Sequence, residues 1–398
     1  MTSELRALLE ARARDCGFAL CGVAAVPAAG SAEDAAERAY FGEWVAQGRA
    51  GEMGYMARAD EHGSLLRSSL RVALPWAESV IVCAVDYSAD ALCSIDPAPP
   101  GSGWIARYAW SGDASRAASG DETQVSTEVA PSLPPTDYHD VILGRLRELE
   151  SELHVRHGDE VQTRCYVDTG PIVERTFARY AGIGWVGKNT CILNEQRGSW
   201  LFLGVIVTSL RITAELSVAA ASDRCGSCSR CIDACPTDAL IAPRQMDAAR
   251  CIAYLTIEKK GSIAEELRPL MGRQVFGCDI CQDVCPWNAK TERTRPIASA
   301  APVEMQPRHE LVNPALEWLA QLDEAAFRRM FRGSPLERTK LKGLRRNVAI
   351  AMGNSGDAKH LPQLQEWMEA EDETLREMAA WATEQLRNAG ARRSASIK

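Results

Sequence analysis

The sequence predicts a three-part fold: an α/β or α+β domain over residues 1–220, a small metal-stapled module over 221–295, and an all-α repeat domain over 296–398. Three observations lead there. Short β-rich runs alternate with helical patterns up to about Leu216, cysteines crowd between Cys225 and Cys285, and beyond Val303 apolar residues recur every three to four positions. A chain of 398 residues also exceeds the length at which single cores stop growing, ~250 to 300. Its 46% apolar and 25% charged residues are the balance of a globular protein, not of a disordered or fibrous one.

In the first unit, MTSELRALLEARARDCGFALCGVAAV mixes charges with apolar residues at helical spacing. It has neither a signal-peptide core nor a twin-arginine start, so a cytoplasmic protein is expected. Trp200–Leu210 (WLFLGVIVTSL) is about half the ~20 residues of a spanning helix and is rich in β-branched residues. It reads as a buried strand, and no membrane segment is expected. SVIVCAVDY (79–87) and TRCYVD (163–168) read as further strands. The stretch 109–136 is rich in Ala, Ser, Gly and Pro without an apolar period, which predicts a flexible surface insertion.

Eight of the fourteen cysteines define the second unit. CGSCSRCIDACP spaces Cys225, Cys228, Cys231 and Cys235 as C-x2-C-x2-C-x3-C-P, the bacterial ferredoxin pattern, in which three thiolates hold one 4Fe-4S cluster and the fourth reaches a second. CDICQDVCP supplies Cys278, Cys281 and Cys285, but Val275 stands where its first cysteine belongs. Cys251 is the one cysteine between the runs and takes the vacant role. By this exchange Cys225, Cys228, Cys231 and Cys285 hold the first cluster, and Cys235, Cys251, Cys278 and Cys281 the second. Structural zinc also accepts paired C-x2-C units, yet it does not call for the ferredoxin register twice. The six scattered cysteines read as small buried hydrophobes.

A second dense region is YVDTGPIVERTFARYAGIGWVGKNTCIL, residues 166–193. Gly182, Gly184 and Gly187 satisfy G-x-G-x-x-G, but a dinucleotide turn follows a strand and ERTFARYA reads as helix. The same run mimics a phosphate loop, with Asn189 where a hydroxyl must reach magnesium. Asp168 closes the strand TRCYVD just before Thr169-Gly170-Pro171. That position suits a general acid, or equally an N-cap for the helix carrying Ile172 to Tyr180.

The last unit presents ALEWLAQL, EAAFRRMF, LRRNVAIAMGN, LPQLQEWMEA and LREMAAWATEQL, successive short amphipathic helices of a repeat domain. With a net charge of −8, indiscriminate nucleic-acid binding is excluded and any such contact needs a local patch. Arg328, Arg329, Arg332, Arg338, Lys340, Lys342, Arg345 and Arg346 form one, against the single acid Glu337. A charge run usually means a solvated helix face; phosphate contact is the alternative, with Lys259 and Lys260 adding to the same surface.

Taken together, the 166–193 segment, CGSCSRCIDACP, RCIAYLTIEKKG and FGCDICQDVCPWN resemble the epoxyqueuosine reductases of tRNA modification, as do GYMAR (54–58) and LRRNVAIAMGN. The likeness covers most of the chain. It implies a cobalamin-binding first domain related to corrinoid reductive dehalogenases, a ferredoxin-like module and a HEAT-like tail. It also implies a reaction: the epoxide of epoxyqueuosine at the tRNA wobble position is reduced to the cyclopentene of queuosine, with electrons from an external low-potential donor relayed through both clusters. Asp168 matches the family's proton donor. Arg58, Tyr108, Ile192, Leu203, Ala253 and Asp279 match positions lining cobalamin, with Lys188 and Asn189 in the adjoining turn. The motif D-x-H-x-x-G of histidine-ligated corrinoids is absent, since Asp140-Val141-Ile142 follow Asp137-Tyr138-His139. One departure stands out: the family runs almost directly from RYA into DYH, whereas here the insertion separates Tyr108 from Asp137.

The same resemblance turns the basic run into expected tRNA contacts at Lys260, Arg332, Lys340, Lys342, Arg345 and Arg346, in a monomer without membrane partners. The competing functions are a corrinoid dehalogenase, which would carry an export signal and no repeat tail, and a ferredoxin-type carrier, which would leave the Asp168 region without a role.

Overall fold

The computed structural model describes residues 3–117, 131–211, 220–289 and 301–395. Four strands, β1 (Leu20–Ala25), β2 (Ser79–Asp86), β3 (Thr163–Tyr166) and β4 (Leu201–Thr208), form one sheet in the order β1-β2-β4-β3. Every pairing is antiparallel, with Val82 opposite Val205 and Cys165 opposite Ile206. Of the two classes expected, the first domain is therefore α+β. Alternation along β2 sends Ile81, Cys83 and Val85 to one face and Val80, Val82 and Ala84 to the other. The helices Ser3–Asp15 and Tyr138–His157 cover the first face through Leu9, Ile142, Leu146 and Leu149. Glu174–Tyr180 covers the second through Phe177 and Ala178.

β1 lies inside the opening stretch whose charges suggested only helix. Gly22 lets the strand meet that covering helix closely, since a Cβ there would sit 2.2 Å from the Ala181 carbonyl oxygen. The glycines of GIGWVGK serve a hairpin. Trp185–Val186 pairs with Ile192–Leu193, and a Cβ on Gly184 would lie 2.2 Å from the Leu193 oxygen. Residues 118–130 of the insertion lie outside the described residues. Ser111–Gly112 pairs with Gln306–Pro307, and Gly112 bridges to Pro135.

The helical tail runs through Leu316–Ala320, Glu324–Phe331, Lys340–Ser355, Leu361–Trp367 and Glu373–Ala395. Its core does not stop at residue 296. Ile252, Leu255, Val275 and Phe276 of the cysteine module pack in one cluster with Leu344, Val348, Ile350 and Met378, and with Trp104 and Ile105 of the first unit. Trp104–Ile105 also pairs in parallel with Gln274–Phe276. Among the described residues no helix is long and apolar enough to cross a membrane.

Candidate functional site

The two cysteine runs fold alike. Each leads into one helical turn, Arg230–Asp233 and Ile280–Asp283, and the two turns pack together. That pairing crosses the runs over. Cys225, Cys228 and Cys231 line a cavity of about 340 Å³ whose fourth cysteine, Cys285, comes from the second run. Cys278 lies within electrostatic reach of Cys251 and Cys235, and Cys281 of Cys278 and Cys251. The two runs and Cys251 are thus brought near one another, with Cys191 in reach of Cys251, Cys281 and Cys285, although among the described residues no three of these groups converge as they would on a single metal ion. Val275 is buried core, and its carbonyl accepts a bond from Asn347.

The donor chemistry of these groups suits a thiolate-held cluster. Backbone N–H groups of Ala253 and Tyr254 reach Cys251, and those of Trp287 and Asn288 reach Cys285. Burial pushes the Cys251, Cys278 and Cys285 thiols up, and Cys231 up to about 11. Coordination by a metal removes such protons outright, and N–H···S bonds then stabilise the thiolate. A ninth cysteine, Cys191, shares a hydrogen bond with Cys281. Nothing in its NTCIL context distinguished it from a packing residue.

Asp168 follows β3 with φ +56°, a left-handed conformation costly for a non-glycine residue and concentrated at functional sites. It is not a helix cap: Glu174–Tyr180 begins at Val173 without any side-chain cap. Its carboxylate accepts a hydrogen bond from the Tyr138 hydroxyl at 3.3 Å. Tyr138 is fixed by stacking on His139 and Phe202, at centroid distances of 4.0 and 4.1 Å. Burial, then the Asp168 charge, pushes the Tyr138 phenol well above its ordinary value, so it stays a donor. Asp137 caps the helix carrying Tyr138 and His139 and accepts from His139 Nδ1 at 2.6 Å.

Asp168, Tyr138, His139 and Tyr108 line a cavity of about 550 Å³ together with Ala253 and Cys251. The candidate acid and a member of the second cysteine group therefore share one enclosure. Glu174, which sequence reasoning passed over, lies close by. Burial, then the Asp168 charge, raises its carboxyl to about 7, and its Oε1 is buried without a hydrogen-bond partner. Acids are ordinary at a helix start, so the sequence carried no distinguishing signal.

The other expected positions disperse. Lys188 donates to the Gly226 carbonyl at 2.7 Å, and buried Asn189 reaches the Cys281 carbonyl at 3.3 Å; both line the first cysteine cavity. Ile192 and Leu203 pack in the core beside the sheet. Buried Asp279 accepts from the Arg107 N–H at 2.7 Å and from Trp104 Nε1 at 3.1 Å. Arg58 is exposed at the end of the turn Gly54–Ala57.

A further cavity of about 580 Å³, lined by Lys259, Lys260, Lys340 and Lys342, shares Ile257, Glu258 and Arg338 with the Asp168 cavity. The Arg338–Glu258 ion pair, 2.6 Å, stands on the wall common to both. Arg346 also lines this cavity, but it is held by the protein's own backbone. It is 3% exposed, and its guanidinium is engaged by the carbonyls of Leu255, Lys259 and Gly261. Arg345 is half-buried and donates to the Leu322 carbonyl, while Arg332 is exposed outside the cavity lining.

Comparison with known proteins bears on the whole chain. A 4Fe-4S double cluster binding domain matches residues 224–288. The epoxyqueuosine reductase of Xanthomonas campestris pv. campestris is 34% identical, covering 96% of this chain and 96% of that protein. That of Pseudomonas aeruginosa is 36% identical over 86% of this chain and 83% of its own. A crystal structure of epoxyqueuosine reductase with an epoxyqueuosine-modified tRNA-Tyr stem loop superposes with a TM-score of 0.75 at 27% identity, covering 96% of this chain and 90% of that one.

Proposed function

The chain belongs to the epoxyqueuosine reductase family, and from that premise we propose how its residues divide the reaction. The enzyme reduces epoxyqueuosine in tRNA to queuosine. Two electrons and two protons enter, and the epoxide oxygen leaves as water. One observation carries the assignment of parts: Asp168 and Cys251 border the same cavity.

Cys225, Cys228, Cys231 and Cys285 would hold one 4Fe-4S cluster and Cys235, Cys251, Cys278 and Cys281 the other, supplying single-electron relays. Of the positions that the resemblance assigns to cobalamin, Tyr108 and Ala253 line the Asp168 cavity, and with Asp168 they would hold that cofactor there, beside Cys251. Bound there, it would supply the reduced metal that opens the epoxide carbon–oxygen bond.

Asp168 passes a proton to the departing oxygen. The Tyr138 hydroxyl holds that carboxylate in its strained turn, and Glu174, raised to about 7, keeps a proton available beside it. Lys260, Lys340 and Lys342 receive the anticodon backbone in the adjoining cavity, and the wobble nucleotide enters past the Arg338–Glu258 pair.

Reconstitution with iron, sulfide and cobalamin, followed by a low-potential reductant and tRNA bearing epoxyqueuosine, tests this. Queuosine is the expected product, and its absence from fully loaded enzyme would overturn the assignment. Asp168→Asn should lose ~10²- to 10⁴-fold in turnover with cluster spectra unchanged.

A further inference from the structure

The cavity of the first cysteine group differs from the other two in its rim. Among the described residues its charged lining is Lys188, Arg224 and Arg230, without a carboxylate. Exposed Pro286 and part-buried Trp287 add apolar surface next to Cys285. Acids flank the lining: Glu195 pairs with Arg224 at 3.4 Å, Asp223 pairs with Arg244, and Asp233 accepts from the Ser229 hydroxyl, which brings no opposing charge, at 2.6 Å. Among the described residues Arg230 has no acidic partner. On a chain of net charge −8, this is a cationic lip on an acidic body.

The lip also has a place in the order of groups. Cys251 joins the second cysteine group to the Asp168 cavity, so the first group is the one farther along the relay from the reacting atoms. Its cavity shares no lining residue with the Asp168 cavity or with the lysine-lined one. A partner seated there leaves the tRNA face open.

We propose that this lip is the docking surface for an acidic one-electron carrier protein, which reduces the first cluster by one electron per encounter, two encounters supplying each epoxide. The proposal rests on reading the cysteine groups as cluster ligands. A small apolar centre within a charged rim is the make-up of a transient electron-transfer contact. Opposite charge steers such encounters.

The test mixes cluster-loaded enzyme, verified by iron and acid-labile sulfide, with reduced plant-type 2Fe-2S ferredoxin in a stopped-flow and follows cluster reduction in the visible spectrum. The wild-type bimolecular rate should fall with salt. Arg230→Glu should lower it ~10-fold at low ionic strength, and Arg230→Lys should keep it. Reduction by methyl viologen radical, a small cation, should not slow. A ferredoxin rate indifferent to the reversal overturns the docking surface, as does equal slowing with viologen, which would place the effect on the cluster itself. Iron and sulfide missing from the wild-type protein would instead overturn the ligand assignment, and the proposal with it.

Discussion

Arg346 decides between two meanings of a basic run. Its guanidinium donates to the Leu255 and Lys259 carbonyls at 2.6 Å and to Gly261 at 3.1 Å, and it contacts Asn347 Oδ1 at 2.9 Å. These carbonyls lie at and just beyond the C-terminal end of Ile252–Ile257, where a helix leaves acceptors unfilled and favours a cation. Burial pushes the guanidinium down to about 10, so it remains charged at neutral pH. Arg346→Met keeps most of the stem but orphans three carbonyls. At about 1 to 3 kcal/mol each, with part of the loss recovered by rehydration, the cost is about 3 to 5 kcal/mol. Thermal and denaturant unfolding of the loaded enzyme should show a lower midpoint. Exposed Lys342→Ala should stay within about 0.5 kcal/mol of the parent. If Arg346→Met melted with the parent yet flattened the salt dependence of tRNA binding, the structural role would be refuted and a phosphate contact restored.

The phosphate role moves to the exposed lysines. Lys340→Ala with Lys342→Ala should reduce the slope of log affinity against log salt for tRNA by roughly 1.4, about 0.7 per lost contact on single-stranded RNA; an unchanged slope would clear them of it. Glu174 predicts a pH dependence. Its carboxyl rises from 4.5 to about 7 on folding, so the stabilisation from its proton is complete below pH 4.5 and is lost as pH climbs through about 7. The loss is at most about 3 kcal/mol, and Glu174→Gln should remove that part of the melting-temperature decline between pH 5 and 8. Parallel curves for the two proteins would contradict it. Gly184→Ala should open the Trp185–Leu193 hairpin, because its Cβ would lie 2.2 Å from a backbone oxygen with no side chain to give way. Reduced expression or a lowered melting point is the readout.

Cluster spacing was legible because ligand geometry is local: C-x2-C-x2-C fits one corner of a cube whatever surrounds it. Cys251 is singled out only by counting, since its place near Cys235 and Cys278 is set by the helix it precedes. Asp168 could be placed at a strand end from its neighbours alone. Its strain and its partner Tyr138 could not, because they depend on a contact with the start of a helix 30 residues earlier in the chain. β1 escaped notice because Leu20–Ala25 has only Val23 as a β-branched residue and follows a charged helical stretch. Gly22 marks the close approach of helix to strand, which a sequence does not announce.

The burial of Arg346 has a physical source that also explains the fold boundaries. In KLKGLRRNVAIAMGNS the charges end at Arg346, and Asn347 to Gly353 are buried throughout. A helix with apolar residues all round lies inside a protein, not on its surface, and the last charge before it must find partners within. Arg346 finds the carbonyls of the cysteine module, and Asn347 finds Thr256 and Val275 of the same module. The helical tail is thus bonded to the backbone that carries Cys251 and Ala253. Read this way, the boundary expected at residue 296 divides the chain by composition, while the packing makes the tail part of the wall behind Asp168's cavity. The lysines of its exposed turn are held in register with that cavity by the buried pair two helical turns on.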